Sequence, residues 1–164
     1  MRLSNFAICS FAAGFLLAAG GAFGQAKTAT KLPPQKPLAT AKAVVDEHLD
    51  ALNHCDWKRL VQQYSDDAEF MLPAGQIVKG RSEVANLFAS FVKPISQGGL
   101  CGLKFTPEHT FIVDGTVNVQ WVVTGDAVAE PYRGADAYET KNGLMTGQVS
   151  TFDANQVKMK KGAK

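Results

Sequence analysis

The sequence has little of what would announce a reaction. Its 164 residues hold three histidines and three cysteines. His54 and His109 lack the close His, Asp or Glu spacing of a metal site, so neither a metal nor an organic cofactor is expected. No serine or cysteine sits beside a visible partner for nucleophilic catalysis. A basic stripe with interleaved aromatic residues is also missing, which excludes nucleic acid as a partner. The net charge is +2. Acidic residues all fall between Asp46 and Asp153, whereas lysines gather at Lys27, Lys31 and Lys36 and again at Lys158, Lys160, Lys161 and Lys164. The folded part is therefore acidic and its ends are basic. There is no internal repeat.

A long uninterrupted apolar run is lacking as well. The stretch from Phe6 to Ala19 is broken by Ser10 and Gly14 and is short for a span, which takes about 20 residues. With Arg2 before it and the small residues Ala22, Phe23, Gly24 after it, residues 1–24 read as a secretory signal peptide, and the mature chain is expected to be secreted or periplasmic with no membrane span. Two cysteines, Cys55 and Cys101, then reach an oxidising compartment. Two readings stay open for them: a disulfide, or a Cys55 that is simply a small apolar residue at a helix joint.

What is present is ordinary globular material, 46% apolar and 20% charged, enough for one core. Residues 25–40 carry prolines, lysines and no apolar period, and read as a flexible linker. A helix follows Thr40 as N-cap, with Val45, Leu49 and Leu52 on one face; Asp56 caps a second helical run carrying Leu60, Val61 and Tyr64. From Ala68 the period becomes two, with Phe70 and Leu72 on one side and Glu69 and Met71 on the other, giving a strand. After a turn at 73–75, residues 76–79 return as its hairpin partner. A third helix starts near Ser82 with an apolar stripe of Val84, Leu87, Phe88, Phe91, Val92 and Ile95 and ends at Gln97, Gly98 and Gly99, with Pro94 predicting a kink or an early end. The rest is strand and turn. Asp114-Gly115 and Asn142-Gly143 mark hairpins, and Val117, Val119, Trp121 and Val123 share one strand face. Helices early and long antiparallel strands later predict an α+β domain over residues 41–156, with a curved sheet wrapped around three helices and a basic tail at 157–164.

The segments LDALNHCDWKRLVQQYSDDAEFMLPAGQIVKGRSEV and GADAYETKNGLMTGQVSTFDA resemble the SnoaL-like and ketosteroid-isomerase-like branch of the nuclear-transport-factor-2-like superfamily. The resemblance implies a cone-shaped antiparallel sheet around the helices, a cystatin-like α+β roll enclosing a pocket. It also implies a homodimer through the open sheet face. Family members include isomerases, polyketide cyclases, dehydratases and binding modules, so fold alone leaves function open. In the steroid isomerases a tyrosine of the first helix donates to the substrate, and the matching position is His48. The carboxylic acid that assists it matches Asp136. The proton-shuttling carboxylate late in the first strand is replaced by Leu72, which removes the general base of steroid isomerisation.

On residue chemistry, Tyr132, Asp136 and Tyr138 share a strand face, and Arg133 faces the other way. An acid among aromatic groups can hold a polar group inside an apolar pocket. The expected function is a pocket for a small, largely apolar molecule, with His48 and Asp136 as an acid-base pair and Tyr64, Phe70, Trp121, Tyr132 and Tyr138 as lining. A cyclase, isomerase or dehydratase using that pair, or a non-catalytic envelope interaction module, are the alternatives.

Overall fold

A computed structural model describes residues 31–162. The expected signal peptide and the first part of the expected linker lie outside the described residues. Helix α1 spans Ala41–Asn53, and the Thr40 hydroxyl accepts from the Ala43 N–H at 3.1 Å. Its apolar stripe buries Val44, Val45, His48 and Leu49. Asp56 caps α2, Trp57–Gln62, by accepting from the Arg59 N–H at 3.0 Å. The Arg59 guanidinium reaches back to Glu47 at 2.7 and 2.6 Å and to Asp50 at 2.6 Å, which sets the angle between the two helices.

Tyr64 opens strand β1, Tyr64–Met71, where a place on the second helix was expected; Gln63 ends the helix and β-sheet pairing with Met145 takes over. Strand β2, Ile77–Lys79, completes the first hairpin. Helix α3 covers Arg81–Phe91. Of the kink and the early end that Pro94 left open, the early end is the one present: α3 stops short of Val92 and Ile95, and a 3-10 turn at Ile95–Gln97 follows. Strands β3, Lys104–Val113, β4, Thr116–Thr124, β5, Tyr132–Lys141, and β6, Leu144–Ser150, form a meander. Both hairpin dipeptides adopt positive φ throughout, 47° and 85° at Asp114-Gly115 and 54° and 75° at Asn142-Gly143. That is the twist-matched turn expected of these sequences.

The six strands order as β2-β1-β6-β5-β4-β3. The sheet is mixed, not wholly antiparallel as expected, because β1 runs parallel to β6. A local hairpin rule cannot anticipate that pairing, since it joins strands far apart in sequence. The curved sheet packs one face on the three helices, giving the α+β cone. Gly134 shows how tight that packing is. A Cβ there would fall 2.4 Å from the Trp121 ring, so only glycine admits the indole against β5.

Two expected boundaries change. Residues 31–40 are fastened to the domain: the Lys36 N–H donates to the Gln62 carbonyl and the Leu38 N–H to the Gly143 carbonyl, both at 2.9 Å. The buried Arg81 guanidinium donates to the Val61 and Pro33 carbonyls. At the other end, Val157 is buried, the Ala129 N–H donates to the Lys158 carbonyl and the Lys160 N–H to the Ala127 carbonyl. Proline-rich and lysine-rich composition signalled freedom, but backbone groups found partners that composition does not encode.

Of the two readings of the cysteines, the disulfide is the one present: Cys55 and Cys101 are joined, their Cα atoms 5.8 Å apart. The bond ties the α1–α2 joint to the loop before β3. Closing a span of 46 residues contributes about 4 kcal/mol on a chain-entropy estimate. Urea unfolding of the Cys55→Ser/Cys101→Ser variant should therefore show a stability loss of that order, and addition of a reductant should lower the wild-type midpoint but not the variant's.

Candidate functional site

Cross-strand partners lie on one sheet face, so the register places the site. One inward row runs Val117, Tyr138, Gln148, Phe70, Val78; the neighbouring row runs Val119, Asp136, Ser150. Above these rows α1 presents His48, Leu49 and Leu52, and α3 presents Phe88 and Phe91. Between roof and floor lies a cavity of about 30 Å³, walled also by Leu100, Phe105 and Phe152. That is room for two or three waters at about 10–15 Å³ each.

Asp136 is the best-connected polar group. Its Oδ2 accepts from the Tyr138 hydroxyl at 3.0 Å, and its Oδ1 accepts from the Thr151 N–H at 3.1 Å. Burial raises its pKa above the ordinary carboxylate value, against the opposing pull of the Ser150 and Tyr138 hydroxyls, the Thr151 N–H and the Trp121 indole. Tyr64 sends its hydroxyl to Gln148 Oε1 at 2.5 Å. Burial, reinforced by the Asp136 charge, holds both the Tyr64 and Tyr138 phenols well above their usual range, so each is a proton donor.

His48 is the opposite case. Its ring packs against those of Phe88 and Tyr138 at 5.5 Å and of Tyr64 at 6.0 Å. Burial lowers its pKa to about 3, so the imidazole is neutral across the physiological range. Its Nδ1 is buried and has no hydrogen-bond partner. Leaving such a group unpaired costs about 1–3 kcal/mol. The cavity thus offers the neutral His48 imidazole, the Tyr138 phenol and the Asp136 carboxyl in an apolar shell, which suits a small molecule carrying a hydroxyl or carbonyl.

His48, Phe70, Asp136 and Tyr138 are brought to one cavity. Three expected lining residues are not. Tyr64 is held one layer back through Gln148, and Trp121 and Tyr132 lie further along the sheet, where Val123 pairs with Tyr132 and Trp121 with Gly134. Trp121 instead supports Phe105 and Phe152 from behind, at ring separations of 5.7 and 6.0 Å. Sequence reasoning missed Gln148, Ser150 and Phe152. From the Asn142-Gly143 turn a strict register sets Gly147 and Val149 opposite Tyr138 and Asp136. A bulge at Thr146 shifts the pairing by one residue and turns Gln148 and Ser150 inward. Leu72 lies outside the inner cavity, in a groove with the turn after β1. Arg133 faces outward, as expected, and pairs with Glu108 at 2.9 Å. Among the described residues no group of three or more His, Cys, Asp or Glu side chains is placed to hold a metal, and no helix is long and apolar enough to cross a membrane.

Residues 45–148 match the family model for the SnoaL-like domain. The chain belongs to the SnoaL-like family. Solved structures agree on the fold. An NTF2-like protein of unknown function from Cytophaga hutchinsonii shares 16% identity over 74% of this chain and 96% of its own, with a TM-score of 0.56. An LEH-like epoxide hydrolase from Mycobacterium tuberculosis shares 16% over 71% and 85%, with a TM-score of 0.55. A protein of ketosteroid isomerase-like fold from Catenulispora acidiphila, crystallised with trimethylamine, shares 14% over 73% and 91%, with a TM-score of 0.55. No curated protein matches in sequence.

The neutral His48 makes this SnoaL-like domain acid-sensitive. As pH falls through 6.5 the unfolded chain gains a proton at His48, whereas the folded chain resists until about 3. Stability is therefore lost downward from about pH 6.5, by up to about 1.4 kcal/mol per pH unit. Between pH 7 and pH 5 wild type should lose about 2 kcal/mol more than His48→Phe in urea titrations. Equal losses in both would show that His48 is solvated.

Proposed function

We propose that this SnoaL-like domain binds a small, largely apolar molecule with one uncharged hydrogen-bonding group. The observation that carries it is the unpartnered Nδ1 of buried His48, on a side chain that walls the same cavity as Tyr138 and Gln148. A hydroxyl or carbonyl there would supply the missing bond. Binding is favoured over acid-base catalysis because an imidazole with a pKa near 3 is a weak base at neutral pH, and the Asp136 oxygens already serve protein donors.

Two further parts of the proposal concern setting. Export to a secreted or periplasmic location is supported by the Cys55–Cys101 disulfide together with the leader-like residues 1–24. A homodimer through the outer sheet face is supported by a single cross-strand row, Phe111, Asn118, Ala137, Val149, Met71, Ile77, that crosses all six strands. Four members are exposed large apolar residues, Phe111 at 52%, Val149 at 45%, Ile77 at 42% and Met71 at 39%. Such a stripe marks an association surface.

A thermal-shift screen against small ketones, phenols, steroids and polyketide-like compounds tests the binding reading. A fitting ligand at a hundred times its Kd should add about 2.7 kcal/mol of stability. The effect should shrink in Asp136→Asn, which disturbs the hydroxyl network; a panel without any shift overturns the reading. For the dimer, sedimentation velocity should show wild type at twice the mass of Val149→Glu, and a monomeric wild type refutes that surface.

A further inference from the structure

We propose that the buried cavity and the groove outside it are two chambers of one elongated site, divided by the Phe152 ring, which sets the size of molecule admitted. The inference rests on the binding reading above and deepens it. The outer groove, of about 500 Å³, lies between the turn after β1, the end of α3 and the segment after β6. Phe91, Leu100 and Phe152 line both it and the 30 Å³ inner cavity. A partition whose two sides are apolar side chains is one that side-chain motion can open.

Of the three dividing residues, two share a backbone tie across the divider. Phe91 is the last residue of α3, and its carbonyl accepts from the Leu100 N–H at 2.7 Å. Leu100 is also next to Cys101, which is bonded to Cys55. Phe152 lies beyond the end of β6 in neither helix nor strand. Its backbone is placed from the polar cluster: the Phe152 N–H donates to Ser150 Oγ at 3.2 Å, and the preceding Thr151 N–H donates to Asp136. Its ring meets those of Phe105 at 5.2 Å and of Trp121 and Tyr132 at 6.0 Å, in edge or tilted contacts. Rotation of that ring breaks no hydrogen bond.

The two chambers define a ligand class. An uncharged hydroxyl or carbonyl occupies the end with His48 and Gln148, and an apolar body passes the position of Phe152. An apolar tail then runs along Leu72 and Leu87 toward the polar rim at Asp153 and Asn155.

The test uses the full chain and one chemical series: phenol, 4-butylphenol and 4-octylphenol. Affinity is read by calorimetry and association rate by stopped-flow tryptophan fluorescence, since Trp121 touches the divider. Wild type is compared with Phe152→Ala, with the milder Phe152→Leu, and with Leu87→Ala, which alters the outer groove alone. Wild-type affinity should rise at least tenfold from phenol to 4-octylphenol. Phe152→Ala should speed association of every phenol at least tenfold, Phe152→Leu should do so by less, and Leu87→Ala should weaken only the long-tailed probes. Binding confined to the Phe152 variants also supports the divider. If wild type binds the series and both Phe152 variants show unchanged rates and affinities, the divider is overturned and the pocket stands. If neither wild type nor any folded variant binds a phenol, both readings fall.

Discussion

The extra residue at Thr146 is the constraint on which the rest of the site depends. Before it, Met145 faces the core; after it, the inward positions become Gln148 and Ser150. Without that change of parity Gly147 and Val149 would face inward and the Tyr64 hydroxyl would lose its acceptor. Asp136 would lose Ser150, and Phe152 would be displaced from the wall it forms. The same shift turns Val149 outward, where it joins Met71 and Ile77 on the exposed face. One bulge therefore decides both what the cone encloses and what its outer surface offers.

Inside the cone the electrostatics follow from burial more than from charge pairing. His48 is kept neutral, the two phenols keep their protons, and Asp136 survives as an acceptor because several donors converge on it. A low-dielectric interior tolerates polar groups when they are bonded to each other. Four buried atoms are left out, His48 Nδ1, Gln63 Oε1, Ser65 Oγ and Trp121 Nε1, and of these side chains His48 is the one that walls the cavity, which is why it carries the functional reading. Asp136 also links the two halves of the site, since it touches Tyr138 in the cavity and the Thr151 N–H beside Phe152.

The architecture divides its work between local and distant contacts. Helix α3 and the disulfide hold Phe91 and Leu100, and the meander holds Tyr138, Gln148 and Asp136. Against this frame the backbone after β6 is itself tied on both sides of Phe152, by Thr151 to Ala135 and Asp136 and by Asp153 to Tyr132, so the part free to move there is the Phe152 ring.

The chain by itself determined everything that depends on near neighbours. Thr40 and Asp56 read as caps because a side-chain oxygen there meets an amide two or three residues on. Pro94 read as a kink or a stop because it lacks the N–H a helix interior needs, and Asn142-Gly143 read as a turn because both residues accept positive φ. His48, Asp136, Phe70 and Tyr138 were legible as pocket residues from face periodicity and the family resemblance. Tertiary structure decided the rest. The parallel pairing of β1 with β6, the docking of residues 31–40, the Cys55–Cys101 bond and the partition at Phe152 join residues remote in sequence, and no local preference encodes them. The bulge escaped for a related reason: a single inserted residue leaves alternation almost intact in the sequence yet reverses which face is buried.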